Sequence, residues 1–481
     1  MKTTRLEFDA QDQGTPQHST ASFRPRSIAR ATVLGAVAIL LNVALASHAS
    51  AGNVLKVDPT DPSAYASIQN AISAASAGDI IVVKPKPPIA GIPFSGLYST
   101  ITIDKGITIT AEAGATVRAS RVIIQNVSAG ETVVLKGITF ERANPSASNG
   151  ASNLVADENS GDLWIEDCDF ILSTEVFQPV VSVPATPALP AVHINPSAEI
   201  TPGFVVFVRC TIEGTRGATK ASGPMAGWQM EAGHGLVVDH AAVSVWDSVV
   251  TGGDGQPGHM TTGLPGGDGG DAIRADDSYI LCAGTTLAAG DGGPGASGTG
   301  CVPGGDGGVG LRLLGAAWSE VLDSSLSGGT AGPGAGACAA GTAGLSSVGP
   351  VSNLVGPSHS LDCQSPKREG QNLHLTASGP QNGWYLIDTD TDAIFGIGTS
   401  SIQAVQHIVG IGAAGGHVPL HPQFLGQYGS SPSVIQFPLS GLLGGQQGMV
   451  FFFQSVGIDT YPGGTQTYSA PSALILLDAS L

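Results

Sequence analysis

"VRCTIEG", Val208–Gly214, is the segment on which the fold turns, because closely similar segments recur on both sides of it. "EDCDFIL" (Glu166–Leu172) precedes it, while "WDSVVTGG" (Trp246–Gly253), "AGTTLAAG" (Ala283–Gly290) and "LDSSLSGG" (Leu322–Gly329) follow. Aligned without gaps, and extended back through "KGITF" (Lys136–Phe140) and "KGITIT" (Lys105–Thr110), they form one column of Ile107, Ile138, Cys168, Cys210, Ser248, Thr285 and Ser324. Two residues further on stand Ile109, Phe140, Phe170, Ile212, Val250, Leu287 and Leu326, all apolar. Residues two apart on a strand share a face, so both columns read as one buried face.

A second short strand opens each later unit: "NLVA" (Asn153), "AVHI" (Ala191), "GLVV" (Gly235), "AIRA" (Ala272) and "GLRL" (Gly310). Successive anchors lie 31, 30, 42, 38, 37 and 39 residues apart, the extra length being a Pro/Ala segment near Pro179–Pro190 and then Gly-rich stretches. Each unit therefore reads as one coil of a solenoid with a long loop on one side, stacked so that neighbours bury a continuous core. A β-propeller has similar repeat lengths but needs four strands per unit, and only two or three are visible.

Ahead of the repeat lies "DPSAYASIQNAISAASAGDIIVVKP" (Asp61–Pro85). Asp61 followed by Pro62 predicts a helix start, with Tyr65, Ile68, Ile72 and Ala75 on one face and Gly78 as its end. "DIIVVKP" then reads as a buried strand. A short helix running into an apolar strand would cover the open end of a strand stack. "SIQNAISAASAGDIIVV" resembles the start of right-handed parallel β-helix proteins of the pectin-lyase-like superfamily, and the resemblance implies that fold without implying an activity. The expected class is thus all-β: a right-handed parallel β-helix over residues 52–340, with an N-terminal capping helix and Gly-rich loop insertions.

Residues 341–370, rich in Gly, Ser and Pro, read as a linker or cap. Over 371–481 separated strand candidates ("NLHLTA", "GWYLID", "SVIQFPL", "GMVFFFQSVGI", "SALILLD") predict a small antiparallel β-sandwich. "FPLSGLLGGQQGMVFFFQSVGID" and "YSAPSALILLD" resemble the C-terminal sandwich modules of large secreted proteins from planctomycete-type bacteria, which implies an exported setting and no chemistry.

The beginning of the chain points the same way. Arg24, Arg26 and Arg30 precede an apolar run from Ala31 to Ala46 and a small-residue site at Ala49-Ser50-Ala51, the order of a signal peptide over residues 1–51. The expected location is secreted or cell-surface, with no membrane span after signal removal. With 38 acidic against 20 basic residues the net charge is -18, which disfavours nucleic acid as a partner.

Three constellations carry possible chemistry. "GGDGGDAIR" (Gly266–Arg274) matches one nonapeptide of a calcium roll, with Asp268 and Asp271 as ligands. Calcium is the only cofactor the sequence suggests, but the related "GGDGGVGLR" has Val309 in place of the second Asp, and the two copies lie 38 residues apart rather than nine. Gly233-His234-Gly235 resembles the GHG motif of polygalacturonases. The rest of that pattern is missing, and the repeat places His234 at a loop-to-strand entry.

One position before the anchor column stand Asp167, Arg209, Asp247, Gly284 and Asp323. At a coil spacing of about 4.8 Å, Asp167, Arg209 and Asp247 would form an outward acid-base-acid ladder. By resemblance to pectate lyases, Arg209 would then be a base and the two Asp residues calcium ligands; the plain alternative is a surface ion-pair ladder. The six cysteines, Cys168, Cys210, Cys282, Cys301, Cys338 and Cys363, are disulfide candidates. Cys168 with Cys210, Cys282 with Cys301, and Cys338 with Cys363 are the expected pairs, against a stack of small buried thiols.

No catalytic residue is favoured. The expected function is a noncatalytic exported or cell-surface β-helix protein, structural or binding a glycan or other surface component. The alternative is a polysaccharide lyase or hydrolase acting on acidic glycans at the exposed β-helix face.

Overall fold

The computed structural model describes residues 52–481 apart from residues 91–94, 143–151, 173–188, 196–202, 220–228, 231, 260–262, 297–300, 355, 380–382, 391–398, 402–422, 428–432, 440–441, 443–445 and 460–464. The signal segment and most of the Pro/Ala insert lie outside the described residues. Among the described residues no helix is long and apolar enough to cross a membrane.

Three long sheets, all parallel, run the length of a β-helix. The first has ten strands, from Val54–Val57 to Val351–Leu354; the second has seven, from Val117–Ala119 to Ser325–Ser327; the third has eight, from Ile101–Ile103 to Ser347–Val348. One coil passes through all three: Leu236–Asp239 in the third sheet, Ala242–Trp246 in the first, Val249–Thr251 in the second, then a Gly-rich loop back to Ile273–Asp276 in the third. The entry strands fall in the register the repeat predicts, with Leu154 beside Val192, Val192 beside Leu236, Leu236 beside Ile273 and Ile273 beside Leu311. Phe140, Phe170, Ile212, Val250 and Leu287 line the enclosed core.

The earliest alignment is corrected. Ile138 pairs with Val117, not with the Ile107 segment, and Ile109 pairs with Leu135 in the first sheet. The two Lys-Gly-Ile-Thr strings look alike but lie on different faces of the coil. The helix is also corrected: it spans Ile68–Ala74, capped by Ser67, whose hydroxyl accepts the Asn70 N–H at 3.2 Å. Asp61 instead holds a tight turn through Ser63, and Tyr65 is exposed. Ile68, Ala71 and Ile72 bury against the first coil, so the helix still packs at the end of the stack.

Corners between the first and second sheets are turned by a single residue with positive φ. Gly137, Asp167, Arg209, Asp247, Gly284 and Asp323 occupy that corner in successive coils, with φ of 72, 53, 50, 45, 61 and 44°. Glycine and aspartate tolerate the left-handed region best, which accounts for five of the six. The column predicted as an outward strand position is therefore a column of bends.

The Gly-rich loops are ordered. After Thr251 burial repeats every third residue: Gly253 and Gln256 are buried, Asp254 and Pro257 exposed, and the next coil repeats this with Gly290, Gly293, Asp291 and Pro294. Three residues per turn is the period of the polyproline II helix, which has no internal hydrogen bonds. The missing bonds are made between chains. Gly252, Gly255 and Gly258 donate to Ala288, Asp291 and Pro294 of the next coil, and the returning segments pair likewise, Gly266 to Pro303 and Gly269 to Asp306. Gly253 donates to Gly233, Gly270 to Gly253 and Gly290 to Gly270, tying the outgoing layer to the returning one. The result is a two-layered blade of threefold helices continuous with the β-helix. Glycine is required at the layer contact, where a methyl group on Gly290 would overlap the carbonyl of Gly253.

The last β-helix strands, Ser347–Val348 and Val351–Leu354, fall in the segment read as a linker. The C-terminal sheet already begins at His359–Cys363 and is mainly antiparallel. The predicted strands appear as Asn372–Ser378, Gly383–Asp390, Ser433–Pro438, Gly448–Asp459 and Ser472–Leu477. They enclose their own core, which includes Leu373, Leu375, Phe451, Phe453 and Leu474.

Gly290→Ala is expected to destabilise the protein by about 3 kcal/mol or more, because the added carbon meets rigid backbone. Gly336→Asn, at a left-handed position with open space around it, is expected to change stability by less than about 1 kcal/mol. Thermal unfolding of both variants checks the pair.

Candidate functional site

The largest buried charge cluster lies between the β-helix and the C-terminal sheet. Strands of the first sheet are apolar on both faces: Val134, Trp164, Val206, Val208, Trp246 and Leu281 point out of the coil and pack under Phe452, Ala470 and Ala473. Trp164 meets Phe452 with ring centroids 4.6 Å apart. Within this apolar layer sit Lys136 and Glu166, side by side in register at the ends of paired strands. Lys136 Nζ lies 2.6 Å from Glu166 Oε1 and also donates to the Ala473 carbonyl. Glu166 further accepts from Arg209, Trp164 Nε1, the Ser472 hydroxyl and the Ala473 N–H.

Arg209 completes the cluster from its left-handed corner. Its Nε donates to Asp167 Oδ1 at 2.7 Å, Nη1 to the Leu361 carbonyl, and Nη2 lies 3.5 Å from Asp362. Burial alone would push the Glu166 carboxyl up, but Lys136 and Arg209 outweigh it and hold it below the ordinary carboxylate range. Burial opposes the charge of Arg209 as well, and Glu166 and Asp167 overcome it, raising its pKa above the usual arginine value. The cluster holds its charges fixed and its donors occupied. That chemistry joins two parts of the chain.

Asp167 and Arg209 are thus brought together as the repeat predicts. Asp247 sits one coil further on, where burial pushes its carboxyl up to about 6, with Arg209 pulling it down and Asp323 raising it. Lys136 and Glu166 did not emerge from the sequence reading. Their signal was available in "TVVLK" and "DLWIE", runs apolar on both strand faces that end in a charge, since a two-sided apolar strand must be covered by another layer.

The aspartates of "GGDGGDAIR" have separate tasks. Asp268 Oδ1 accepts the Asp306 N–H at 2.8 Å on the exposed side of the blade. Asp271 is buried where the returning helix joins the third sheet; its oxygens accept from the Val309 N–H at 2.7 Å and from Arg312 Nε at 2.6 Å. His234 Nδ1 accepts the Asp271 N–H at 2.9 Å, and burial lowers the pKa of the ring. Among the described residues no group of three or more His, Cys, Asp or Glu side chains is placed to hold a metal ion.

The expected cysteine pairing is overturned. Cys301 is bonded to Cys338, joining the starts of the returning segments of adjacent Gly-rich loops, while Cys168, Cys210, Cys282 and Cys363 are free and buried. Cys168 and Cys210 are neighbours in the column, but their thiols donate to different carbonyls, Glu166 or Leu135 and Val208 or Ile165. Burial pushes the Cys168 thiol up to about 12. Cys363 belongs to the C-terminal core, away from the loop cysteines.

Two further surfaces complete the inventory. A cleft of about 370 Å³ lies where the first coil meets the C-terminal strands, lined by Lys56, Asp58, Lys84, Glu112 and Arg368. Lys84 pairs with Asp58 at 2.8 Å, and Lys56 donates to the Leu481 carbonyl. The outer face of the second sheet is different in kind. Thr211, Val249, Thr286 and Ser325 stand in register on it, with Thr251, Ala288 and Ser327 beside them, uncharged over the last three strands, while Asp169 precedes Thr211 in the first row and exposed Glu213 precedes Thr251 in the second.

Glu166→Gln removes the fully buried carboxylate that meets both Lys136 and Arg209, leaving the pair the partly exposed Asp167, and is expected to cost about 3–5 kcal/mol in denaturant unfolding. Asp247 behaves oppositely. Its folded pKa of about 6 lies above the ordinary 3.8, so its contribution is full below about pH 4 and is lost as pH rises through 6. Asp247→Asn is expected to match the wild-type Tm near pH 4 and exceed it at pH 7–8, since asparagine also accepts the left-handed corner.

No protein-family model matches the chain, and neither does any curated protein or solved structure.

Proposed function

We propose that this chain is a noncatalytic β-helical scaffold, exported or held at the cell surface, that binds a polysaccharide. The observation that carries the reading is the engagement of Arg209. A pectate-lyase-like base must give up a proton and face substrate, whereas Arg209 is held charged by Glu166 and Asp167 and packed beneath the C-terminal strands. The signal-like segment at 1–51 supports export. The likeness of Ser67–Val83 to pectin-lyase-like β-helices, and of the C-terminal segments to planctomycete secreted modules, agrees with that setting.

For a glycan, the outer face of the second sheet is the most suitable surface. Val249 is 43% exposed there, between Thr211 and Thr286, and offers an apolar patch among hydroxyls. The net charge of -18 favours a neutral polysaccharide over a polyuronate. The alternative, a lyase acting on acidic glycans with calcium, requires groups that the buried cluster occupies.

Incubation with polygalacturonate and alginate, with and without calcium, is expected to release no unsaturated ends from either wild type or Arg209→Ala. Product from wild type alone, with Arg209→Ala still folded by circular dichroism, would establish the lyase reading instead. Retention on insoluble cellulose or xylan is expected for wild type and reduced for the Thr286→Lys, Ser325→Lys double variant. Equal retention of the two would remove this face from the proposal.

A further inference from the structure

The Gly-rich blade ends on an open row of hydrogen-bond donors. In the outgoing layer each helix donates to the next coil at every third residue: Gly214 and Gly217 to Thr251 and Asp254, then Gly252, Gly255 and Gly258 to Ala288, Asp291 and Pro294, then Ala289, Gly292 and Gly295 to Ser327, Thr330 and Pro333. The equivalent donors of the last helix are the N–H groups of Gly328, Ala331 and Gly334. None of them has a partner among the described residues. The returning layer ends in the same way. Gly304 and Gly307 donate to Ala339 and Thr342, and the next equivalents, Ala340 and Ala343, donate to nothing among the described residues.

The second sheet stops at the same coil, with Ser325–Ser327 as its terminal strand, whereas the first and third sheets each run on by one more strand. Among the described residues, these donors therefore lie along an edge that nothing extends on this side. An edge of this kind is a template for main-chain addition, as the edge of a β-sheet is.

The spacing selects the occupant. Donors three residues apart on a threefold helix are separated by about 9.3 Å along its axis. A β-strand presents carbonyls to one side about every 6.6–6.8 Å and falls out of step after one bond. A second threefold helix stays in step indefinitely. Proline is suited to two of its three positions because the ring presets the conformation and leaves the carbonyls free, while the third must be glycine, as at Gly290, Gly329 and Gly332, where a β-carbon would overlap a carbonyl of the preceding helix. The blade already uses prolyl carbonyls in this role: Gly258 donates to Pro294, Gly266 to Pro303 and Gly295 to Pro333.

We propose that the last-coil edge of the blade, with one N–H row at Gly328, Ala331 and Gly334 and a second at Ala340 and Ala343, binds proline-rich segments of another protein that carry glycine at every third residue, one added threefold helix to each row. The interface repeats the one that joins successive coils, with the ligand supplying the carbonyls. It is separate from the polysaccharide face and does not depend on it.

The test uses the full chain and a fluorescein-labelled (Pro-Pro-Gly)4 peptide, followed by fluorescence anisotropy. The control ligand is a labelled alternating Thr-Val peptide of equal length. Proline at positions 331 and 343 deletes the two donor hydrogens while keeping a conformation the threefold helix already has, and Thr330 and Thr342 before them are in the extended path that a following proline requires. The Ala331→Pro, Ala343→Pro variant is expected to unfold at the wild-type temperature yet bind the Pro-Pro-Gly peptide at least about tenfold more weakly. Saturable binding of the Pro-Pro-Gly peptide by wild type with little binding of the Thr-Val peptide supports the proposal. Its overthrow would come from absence of saturable binding, equal binding by the variant, equal binding of the Thr-Val peptide, or light scattering that shows the edge closed by a second copy of the chain.

Discussion

The N–H groups of each coil must find carbonyls in the next, and this one register governs both the strands and the glycine loops. In the strands Val205 lies beside Val243 and Val249 beside Thr286; past Thr251 the same offset continues as Gly252 to Ala288 and Gly255 to Asp291. The chain changes conformation from twofold to threefold without changing partners. That continuity explains why loops of such composition are ordered: an isolated threefold helix bonds only to water, whereas here each helix is enclosed by the ones before, after and across from it. Substituting the glycines at the layer contact would separate the helices and leave those backbone groups buried without partners.

The corner column connects this ladder to the rest of the molecule. A left-handed residue stands at this corner in each coil from Gly137 to Asp323, and where it is Asp or Arg rather than Gly its side chain emerges at the boundary of the first sheet. That is how Asp167 and Arg209 come to stand beside Lys136 and Glu166, beneath strands that arrive from more than 260 residues further along the chain, as in the bond from Arg209 to Ser472, 263 positions away. The apolar outer face of the first sheet supplies the area of contact. The ion cluster adds position: three Glu166 bonds reach the edge at Ser472 and Ala473 or their neighbour Lys136, so a shifted C-terminal sheet would leave charges unpaired.

Legibility followed periodicity. The entry strands beginning at Leu154, Val192, Leu236, Ile273 and Leu311 were visible because one face is apolar and the other polar, a period-two signal. The first-sheet strands were harder to see because both faces are apolar, which removes alternation; "FVVFV" has no period at all. The misplacement of Ile107 has a related cause, since a Lys-Gly-Ile-Thr string satisfies strand alternation on any face of the coil. Cysteine pairing failed for a geometric reason. Cys168 and Cys210 share a column, yet stacked side chains in parallel coils point along the same direction into the core and need not turn toward each other. Cys301 and Cys338, given different partners by sequence proximity, meet because two loops fold back over one another.

The acidic residue in Gly-Gly-Asp follows from the same accounting of donors. A threefold helix directs its N–H groups three ways; inside the blade two are met by the neighbouring coil and the opposite layer, and the third faces out. Asp254 accepts that third N–H from Asp291, Asp291 from Thr330, Asp268 from Asp306 and Asp306 from Thr342. Each carboxylate closes the coil after it. The chain of aspartates ends in Thr330 and Thr342 in the last coil, where among the described residues no following helix offers an outward N–H to accept. A pattern that reads as a calcium roll is therefore produced here by backbone satisfaction, with aspartate at outward positions whose successor offers an N–H and proline, as at Pro257 and Pro294, where the successor is itself proline.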